Sequence, residues 1–290
     1  MMRILITGRN SYIGSSVKAW LLKHEQHYIV DEICVKTHVW RRADFSIYDA
    51  VFHVAGLAHS DTGEVTKDMK DTYFLVNTDL AIEVAKKAKL EGVRQFIFMS
   101  SMIVYGSSAP FEIPKRITKE IIPKPTNTYG NSKWQAELRL ADLKSDSFKI
   151  VILRPPMVYG KGSKGNYPRL AEFAKKLPLF PRVENERSMI HIDNLCEFIR
   201  LMIENCENGL FFPQNKEYVK TSDLVREIAI VHGKKIHLTK FFTLFLRLFA
   251  KRSPLVNKVF GNLTYDLQMS EYKQDYRIRS FEESIKLTEK

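Results

Sequence analysis

Residues 4–14, ILITGRNSYIG, constrain the fold of this chain more than any other stretch. A short apolar run ends in a turn at Gly8, and Ile13, Val17, Trp20 and Leu21 follow at once with helical spacing. The rhythm then repeats. YIVDEICV and DAVFHVAG read as strands, NTDLAIEVAKKAKLEG as an amphipathic helix closed by Gly92, RQFIFMSS as a strand, NSKWQAELRLADLK as a helix, and FKIVILRP as a strand stopped by Pro155. Strands alternating with helices predict an α/β fold with a doubly wound parallel sheet. Ligands of such sheets sit at the carboxyl ends of the strands, where Gly8, Gly56, Ser100, Ser101 and Arg154 all fall. Beyond Pro156 the rhythm loosens. KGSKGNYPRLAEFAKKLPLFP reads as loop, helix, loop, and SMIHIDNLCEFIRLMIENCENG as a strand edge and a helix ending at Gly209. The remainder is more irregular and basic, and no internal repeat interrupts it.

With 290 residues and 44% apolar composition the chain can bury a sizeable core. A formal net charge of +12 suits an anionic partner or a solvated lysine-rich surface. Cys34, Cys196 and Cys206 show no CxxC spacing and read as free thiols of a reducing compartment. The N-terminus enters a strand without a signal-peptide pattern, and no apolar run reaches bilayer length, so a cytoplasmic location is expected. The eight histidines form no ligand array; His53 and His191 read as structural, and no metal is expected.

Three segments carry chemistry. A strand-to-helix turn aims backbone N–H groups and the positive helix end at an anion. Here Gly8 permits the tight turn, Gly14 permits close packing of helix on strand, and Ser11, where a dinucleotide loop usually has glycine, can donate to phosphate. In TYGNSK, Tyr129 and Lys133 share one helix face. A tyrosine titrates near about 10; an adjacent ammonium and a cationic nicotinamide ring stabilise the phenolate and suit it to acid/base work. FMSSMIVYG puts Ser101 at a strand end, able to hydrogen-bond a reacting oxygen.

In this order the segments resemble the extended short-chain dehydrogenase/reductase family, most closely its sugar-nucleotide epimerase and reductase members. TGRNSYIG resembles the family's TGxxGxIG loop, DAVFHVAGLAH its strand-end segment beside the cofactor, and VNTDLAIEVAKKAKLEGVRQFIFMSS its Asn-led helix and next strand. YGNSK matches YxxxK, LRPPMVYGKG the RPxxVYG segment, and RSMIHIDNLCEFI a late arginine-led segment. The resemblance implies NAD or NADP as cofactor, with Tyr129 as acid/base, Lys133 as its electrostatic partner and ribose ligand, and Ser101 as substrate ligand. It places the cofactor on Gly8, Asn10, Ser11, Tyr12, Ile13, Gly14, Lys36, Asp44, Phe45, Val54, Ala55, Gly56, Asn77, Ser100, Lys133 and Pro155. Substrate falls to Ser101, Asn166 and Arg187, whose guanidinium suits a diphosphate. A dinucleotide-binding domain is expected over 1–155, with 187–206 returning to it, and a substrate-binding lobe over 156–186 and 207–290.

Departures from the family pattern sharpen the expectation. KTHVWRRA is a short link before Asp44 and offers Lys36, Arg41 and Arg42 where an acidic residue usually holds the adenosine ribose. This favours NADP. Met157 stands where family members often carry asparagine, and SMIVYG lacks the acidic pair of 4,6-dehydratases. The resemblance thus implies epimerisation of a UDP-hexose through hydride transfer at C4, with one-way reduction of a UDP-4-keto-(6-deoxy)hexose as the alternative, in polysaccharide or O-antigen synthesis. A homodimer is implied. A non-catalytic Rossmann-like sensor or nucleic-acid binder is the rival class; retention of both Tyr129 and Lys133 speaks against it and against a nucleic-acid partner. Residues 239–260 hold an apolar stripe (Phe241, Phe242, Phe245, Leu246, Leu248, Phe249) among Lys240, Arg247, Lys251, Arg252 and Lys258. That pattern suits peripheral contact with a membrane face or a glycosyltransferase, although burial as lobe core is the stronger reading.

Overall fold

Residues 1–24, 26–58, 66–243, 246 and 254–290 are described by the computed structural model. Six short strands build an all-parallel sheet: β1 (Met2–Thr7), β2 (Tyr28–Ile33), β3 (Ala50–His53), β4 (Gln95–Met99), β5 (Lys149–Leu153) and β6 (Gly209–Phe211). Their order is β6-β5-β4-β3-β1-β2. β3 and β4 are buried along their whole length, which is why they read as unbroken apolar runs rather than alternating ones. The order reverses between β1 and β3, the place where open parallel sheets leave a crevice for ligands.

The helices of this unit are α1 (Tyr12–Leu21), α2 (Lys67–Phe74), α3 (Leu80–Leu90) and α4 (Thr128–Ala141), with most of α5 (Ile192–Glu204). Small residues set how closely they pack: Ala81, Ala85 and Ala88 of α3 and Ala136 of α4 meet Val51, Phe96 and Phe98 of the strands. The short connection from β2 to β3 contains only a 3₁₀ turn, His38–Arg42. It buries Trp40 and Phe45 in the same core, so the link that looked abbreviated in the sequence still covers the sheet. The helix bearing Asn77 begins earlier than expected, with α2 leading through a π-helical turn, Leu75–Asp79, into α3. Only Tyr73 of α2 is buried, so its periodicity is faint in the sequence. Gly209 does not end α5; the helix stops at Glu204, Cys206 takes the left-handed conformation (φ 43°), and Gly209 opens β6.

The chain divides into two units. The first comprises Met1–Gly106, Pro123–Pro155 and Leu195–Pro213, the second Ser107–Ile122, Pro156–Asn194 and Gln214–Lys290. These bounds differ from the sequence expectation for pairing reasons. β6 hydrogen-bonds β5, which draws the chain up to Pro213 into the sheet. Arg187 instead pairs with Val219 and Leu263, and Ala109 with Asn262, which assigns both to the second unit.

The second unit has its own core, built from Tyr159, Tyr167, Leu170, Phe180, Leu224, Ile228, Phe260 and Ile285. Its helices Asn166–Lys176, Thr221–Val231 and Phe281–Glu289 join short paired strands, among them Met157–Tyr159 with Met189–His191. Of the apolar stripe over 239–260, Phe241 and Phe242 are exposed with their rings edge to face, whereas Leu246 packs on this core. Phe245, Arg247, Leu248, Phe249, Lys251 and Arg252 lie outside the described residues. Among the described residues no helix is long and apolar enough to cross a membrane, and no cluster of acidic, histidine or cysteine side chains could hold a metal.

Candidate active site

The turn after β1 is shaped by close backbone approach. Gly8 has φ +104°, and a Cβ there would lie 2.8 Å from the Ala55 nitrogen. Its N–H donates to the Ile33 carbonyl, while Val54 N–H donates to Thr7 O, so the ends of β1, β2 and β3 meet at this glycine. Gly14 is buried against Ile6 and Val54, where a Cβ would meet Val54 Cγ1 at 3.0 Å. Ser11 is the N-cap of α1: its Oγ accepts from Gly14 N–H at 3.1 Å. Its φ of −75° is ordinary, so serine strains no backbone here, and the hydroxyl proton stays available to an anion. Asn10 adopts φ 64°, a conformation asparagine tolerates.

At the other end of the crevice, one face of α4 lies along the end of β4. Asn127 caps the helix by accepting from Gly130 N–H at 2.7 Å. Gly130 is required by contact, since a Cβ there would sit 2.9 Å from the Ile103 carbonyl oxygen. That carbonyl belongs to the turn Met102–Tyr105, which Ser101 caps. Tyr129, half-buried, is thereby held beside Ser101, whose hydroxyl acts to lower the phenol's pKa. One turn further, Lys133 is buried and donates from Nζ to the Met99 carbonyl at 2.8 Å, 4.6 Å from the centre of the Phe98 ring. Gly56 crosses just above it: a Cβ there would be 3.1 Å from Lys133 Nζ and 2.9 Å from Asn77 Oδ1. Asn77, in the π-helical turn, accepts from Leu57 N–H and donates to Leu57 O and Ser132 Oγ, tying the strand-end loop to α4. Such π turns recur at functional sites.

Burial dominates the electrostatics. It pushes the Tyr129 phenol up to about 12, against the Ser101 hydroxyl, which lowers it. It pushes the Lys133 ammonium down to about 8, opposed by the Glu137 carboxylate. His53, stacked beside Phe96 and Phe98 with its Nδ1 on Thr7 Oγ1, is driven down to about 3 by burial and by the charge of Lys133. Beneath Lys133 a buried ion pair closes the site. Arg154 donates from Nε to both Glu137 oxygens at 3.1 Å, and its Nη2 lies 2.5 Å from Oε2. A helix face carrying a phenol beside a hydroxyl and a buried ammonium, at the edge of a glycine cradle, can move a proton to and from a substrate oxygen.

The sequence profile of the NAD dependent epimerase/dehydratase family matches residues 4–213, a span that takes in both the glycine turn and the Tyr129–Lys133 pair. The chain belongs to this family. A UDP-glucose 4-epimerase of Vibrio cholerae is 30% identical over 293 residues, covering 91% of this chain and 87% of that protein. Among solved structures, UDP-glucuronic acid 4-epimerase from Bacillus cereus in complex with NAD superposes with a TM-score of 0.72 at 20% identity, covering 99% of this chain and 97% of the other. The dTDP-4-dehydrorhamnose reductase from Bacillus anthracis, in complex with NADP, gives 0.64 at 18% identity over 82% and 83% of the two chains. At these identities the two structures speak for the shared fold. The protein is an enzyme of the extended short-chain dehydrogenase/reductase type, using NAD or NADP.

The cradle fits such a dinucleotide: Gly8, Gly14 and Gly56 bring the strand ends, the start of α1 and Lys133 closer than any Cβ would allow, beside the N-terminus of α1. Around them gather Ser11, Val54 and Ala55 at one end, and Asn77, Ser100, Ser101, Tyr129 and Lys133 at the other; Pro155 O accepts from Met102 N–H beside Ser101. Tyr12 and Ile13 form the first turn of α1. Lys36 and Asp44 are exposed, and Asp44 is lowered by accepting from both the hydroxyl and the N–H of Ser46. Phe45 turns its ring into the core and donates its N–H to Glu91 Oε2 at 2.5 Å. In the second unit Asn166 and Arg187 converge on one acceptor, the Lys258 carbonyl, at 3.3 and 3.0 Å. Arg187 Nη1 also reaches the carbonyls of Val259 and Gly261, and burial lowers the guanidinium to about 10. Glu137 was passed over in the sequence, although it continues the spacing of Tyr129 and Lys133 by one more turn.

Proposed function

We propose that the protein is an NAD(P)-dependent sugar-nucleotide 4-epimerase acting on a UDP-linked hexose. The observation that carries this reading is the grouping of Tyr129, Ser101 and Lys133 on the end of β4 beside the Gly8–Gly56 cradle. When bound, the nicotinamide supplies the hydride acceptor and donor. Ser101 hydrogen-bonds the C4 hydroxyl and aims it at Tyr129, which takes the proton as the C4 hydrogen leaves and returns it when the 4-keto sugar is reduced on its other face. Lys133, kept cationic, stabilises the phenolate and draws its pKa down from the value burial imposes. Arg187 is assigned to the diphosphate: it is pinned on backbone carbonyls, and no carboxylate pairs with it among the described residues. The relative in Vibrio cholerae, a UDP-glucose 4-epimerase, supports the choice of UDP-hexose.

A second reading, one-way reduction of a UDP-4-keto sugar, uses the same residues and is favoured by the cationic stretch after β2, where residues 34–43 carry no carboxylate. One experiment separates them. The enzyme is incubated with each of a panel of UDP-hexoses and a catalytic amount of NAD or NADP, and separately with a UDP-4-keto-hexose and stoichiometric NADPH, both followed by proton NMR. Interconversion of C4 epimers without net cofactor consumption is expected; no epimer formation, with stoichiometric NADPH oxidation by a 4-keto sugar, establishes the reductase instead. The reading includes a cytoplasmic homodimer, checked by sedimentation. It also includes peripheral contact through 239–260, for which exposed Phe241 and Phe242 beside Lys240 speak, checked by flotation on anionic liposomes.

A further inference from the structure

Three successive turns of α4 are fastened to three successive residues of one strand end. Tyr129 lies beside the Ser101 hydroxyl, Lys133 Nζ donates to the Met99 carbonyl, and the Ser100 hydroxyl donates to Glu137. The third of these contacts has no part in the chemistry proposed above, yet it is the most heavily built. Glu137 is 3% exposed, and both its oxygens are engaged by Arg154, which enters from the end of β5. Arg154 is clamped in turn, its Nη1 donating to the Tyr105 hydroxyl at 2.5 Å and its guanidinium lying 5.4 Å from the Trp134 ring centre. The network therefore joins α4, the end of β4, the end of β5 and the turn capped by Ser101.

Resting on the assignment of Tyr129 and Lys133 as the proton-handling pair, we propose that Glu137 is a positioning residue of this enzyme: it holds α4 in register on the strand end and places the compensating negative charge one helical turn beneath the Lys133 ammonium. The charges around that ammonium make the need plain. From β3 comes His53, which is neutral at working pH; on its own helix Glu137 follows one turn on and Tyr129 precedes by one turn. Arg154, from the β5 end, pairs with Glu137 and takes the Tyr105 phenol with it, while the Tyr73 ring neighbours Tyr129. Glu137 is the only anion in that set, so without it a buried lysine loses its proton first. A neutral Lys133 leaves Tyr129 at its desolvated value, too weak an acid to cycle.

The test reads Lys133 directly. Protein labelled with ¹³C-lysine is titrated by NMR, the Lys133→Met variant identifying the resonance. The wild-type midpoint is expected near about 8, and Glu137→Gln should lower it by at least about one pH unit, the size of shift an adjacent opposite charge produces. Because Glu137→Gln leaves Arg154 unpaired and can impair folding, Glu137→Gln/Arg154→Met is titrated as well, which removes both buried charges. The proposal requires the lower midpoint in the double variant too, together with an alkaline shift of the kcat profile. An unchanged midpoint in the double variant overturns it, whatever the single variant does, since the unpaired arginine would then account for any effect. Tyr129→Phe keeps the lysine titration while removing turnover, so failure of the catalytic assignment shows up separately.

Discussion

Gly130→Ala should slow the reaction without unfolding the protein. The added Cβ meets the Ile103 carbonyl oxygen at 2.9 Å, Asn127 Oδ1 at 3.2 Å and Pro125 Cβ at 3.2 Å. The first contact is backbone and has no rotamer to escape into, so α4 and the Met102–Tyr105 turn must separate by a few tenths of an ångström. Two terms nearly cancel in stability. Alanine favours a helix interior over glycine by about 1 kcal/mol, and overpacking costs about 1–3 kcal/mol, leaving a net loss of about 0–2 kcal/mol and only a few degrees in Tm. Activity has no such compensation, because the displaced elements carry Tyr129 and Ser101. A misplacement of about 1 Å costs about 100-fold in rate, so a shift of under half that predicts a loss on the order of tenfold in kcat. Cofactor affinity should hold, as the Gly8 turn is untouched. The assay is steady-state turnover alongside thermal melting and cofactor titration. Wild-type kcat in a folded Gly130→Ala variant would refute the claim that this contact sets the Tyr129–Ser101 distance.

Tyr129→Phe removes the proton carrier, and kcat should fall by about 100-fold or more while NAD(P) affinity, read by fluorescence titration, stays within about twofold of wild type; retained turnover would remove Tyr129 from its role. NADP should bind at least as tightly as NAD, since Lys36 and Arg42 are exposed after β2 with no carboxylate before Asp44, while Arg41 is already paired with Glu83; Lys36→Glu/Arg42→Glu should weaken NADP by about tenfold, the loss of about 1.4 kcal/mol of phosphate contact, and a strong wild-type preference for NAD in calorimetry contradicts this. His53 gives a pH signature. The unfolded imidazole takes a proton near about 6.5 and the folded one only near about 3, so acid favours the unfolded chain, and stability falls as pH drops below about 6.5, by about 1.4 kcal/mol per unit. Denaturant melts at pH 7 and pH 5 should show wild type losing about 2 kcal/mol more than His53→Gln over that interval; equal losses would show that His53 is not the titrating group.

The central strands were legible because β3 and β4 are buried on both faces and Gly8 stands where the turn after β1 demands it, whereas β6, partly exposed, was hidden behind the expected helix end at Gly209. The α4 pair was legible for the same kind of reason, the spacing of Tyr129 and Lys133 being that of a helix face. Glu137 obeys that spacing too, but a glutamate on a helix reads as solvated surface until a partner is found, and Arg154 comes from a distant strand. Long-range pairing of this sort leaves no periodic trace. The unit bounds were obscured similarly: the apolar residues of Ser107–Ile122 follow no helical or strand period, and the segment is placed by long-range contacts, its bridges to Asn262 and Thr264–Tyr265 and the packing of Phe111 on the second core. Ser11 reads as a lost glycine in sequence, whereas its backbone angles and capping bond show that the turn's own conformation does not require one.

The sheet ends at β2, with no strand outside it among the described residues, and the Ile33 carbonyl on that edge receives the Gly8 N–H. Edge strands open at lower free energy than central ones, so their amides exchange with solvent sooner. The glycine turn is therefore moored on one side to an edge strand and on the other to the interior strands β1 and β3. Any ligand that fastens the turn must, by reciprocity of linked equilibria, also suppress fraying of Tyr28–Ile33. Slower exchange of those amides then becomes a reporter of occupancy at the glycine turn.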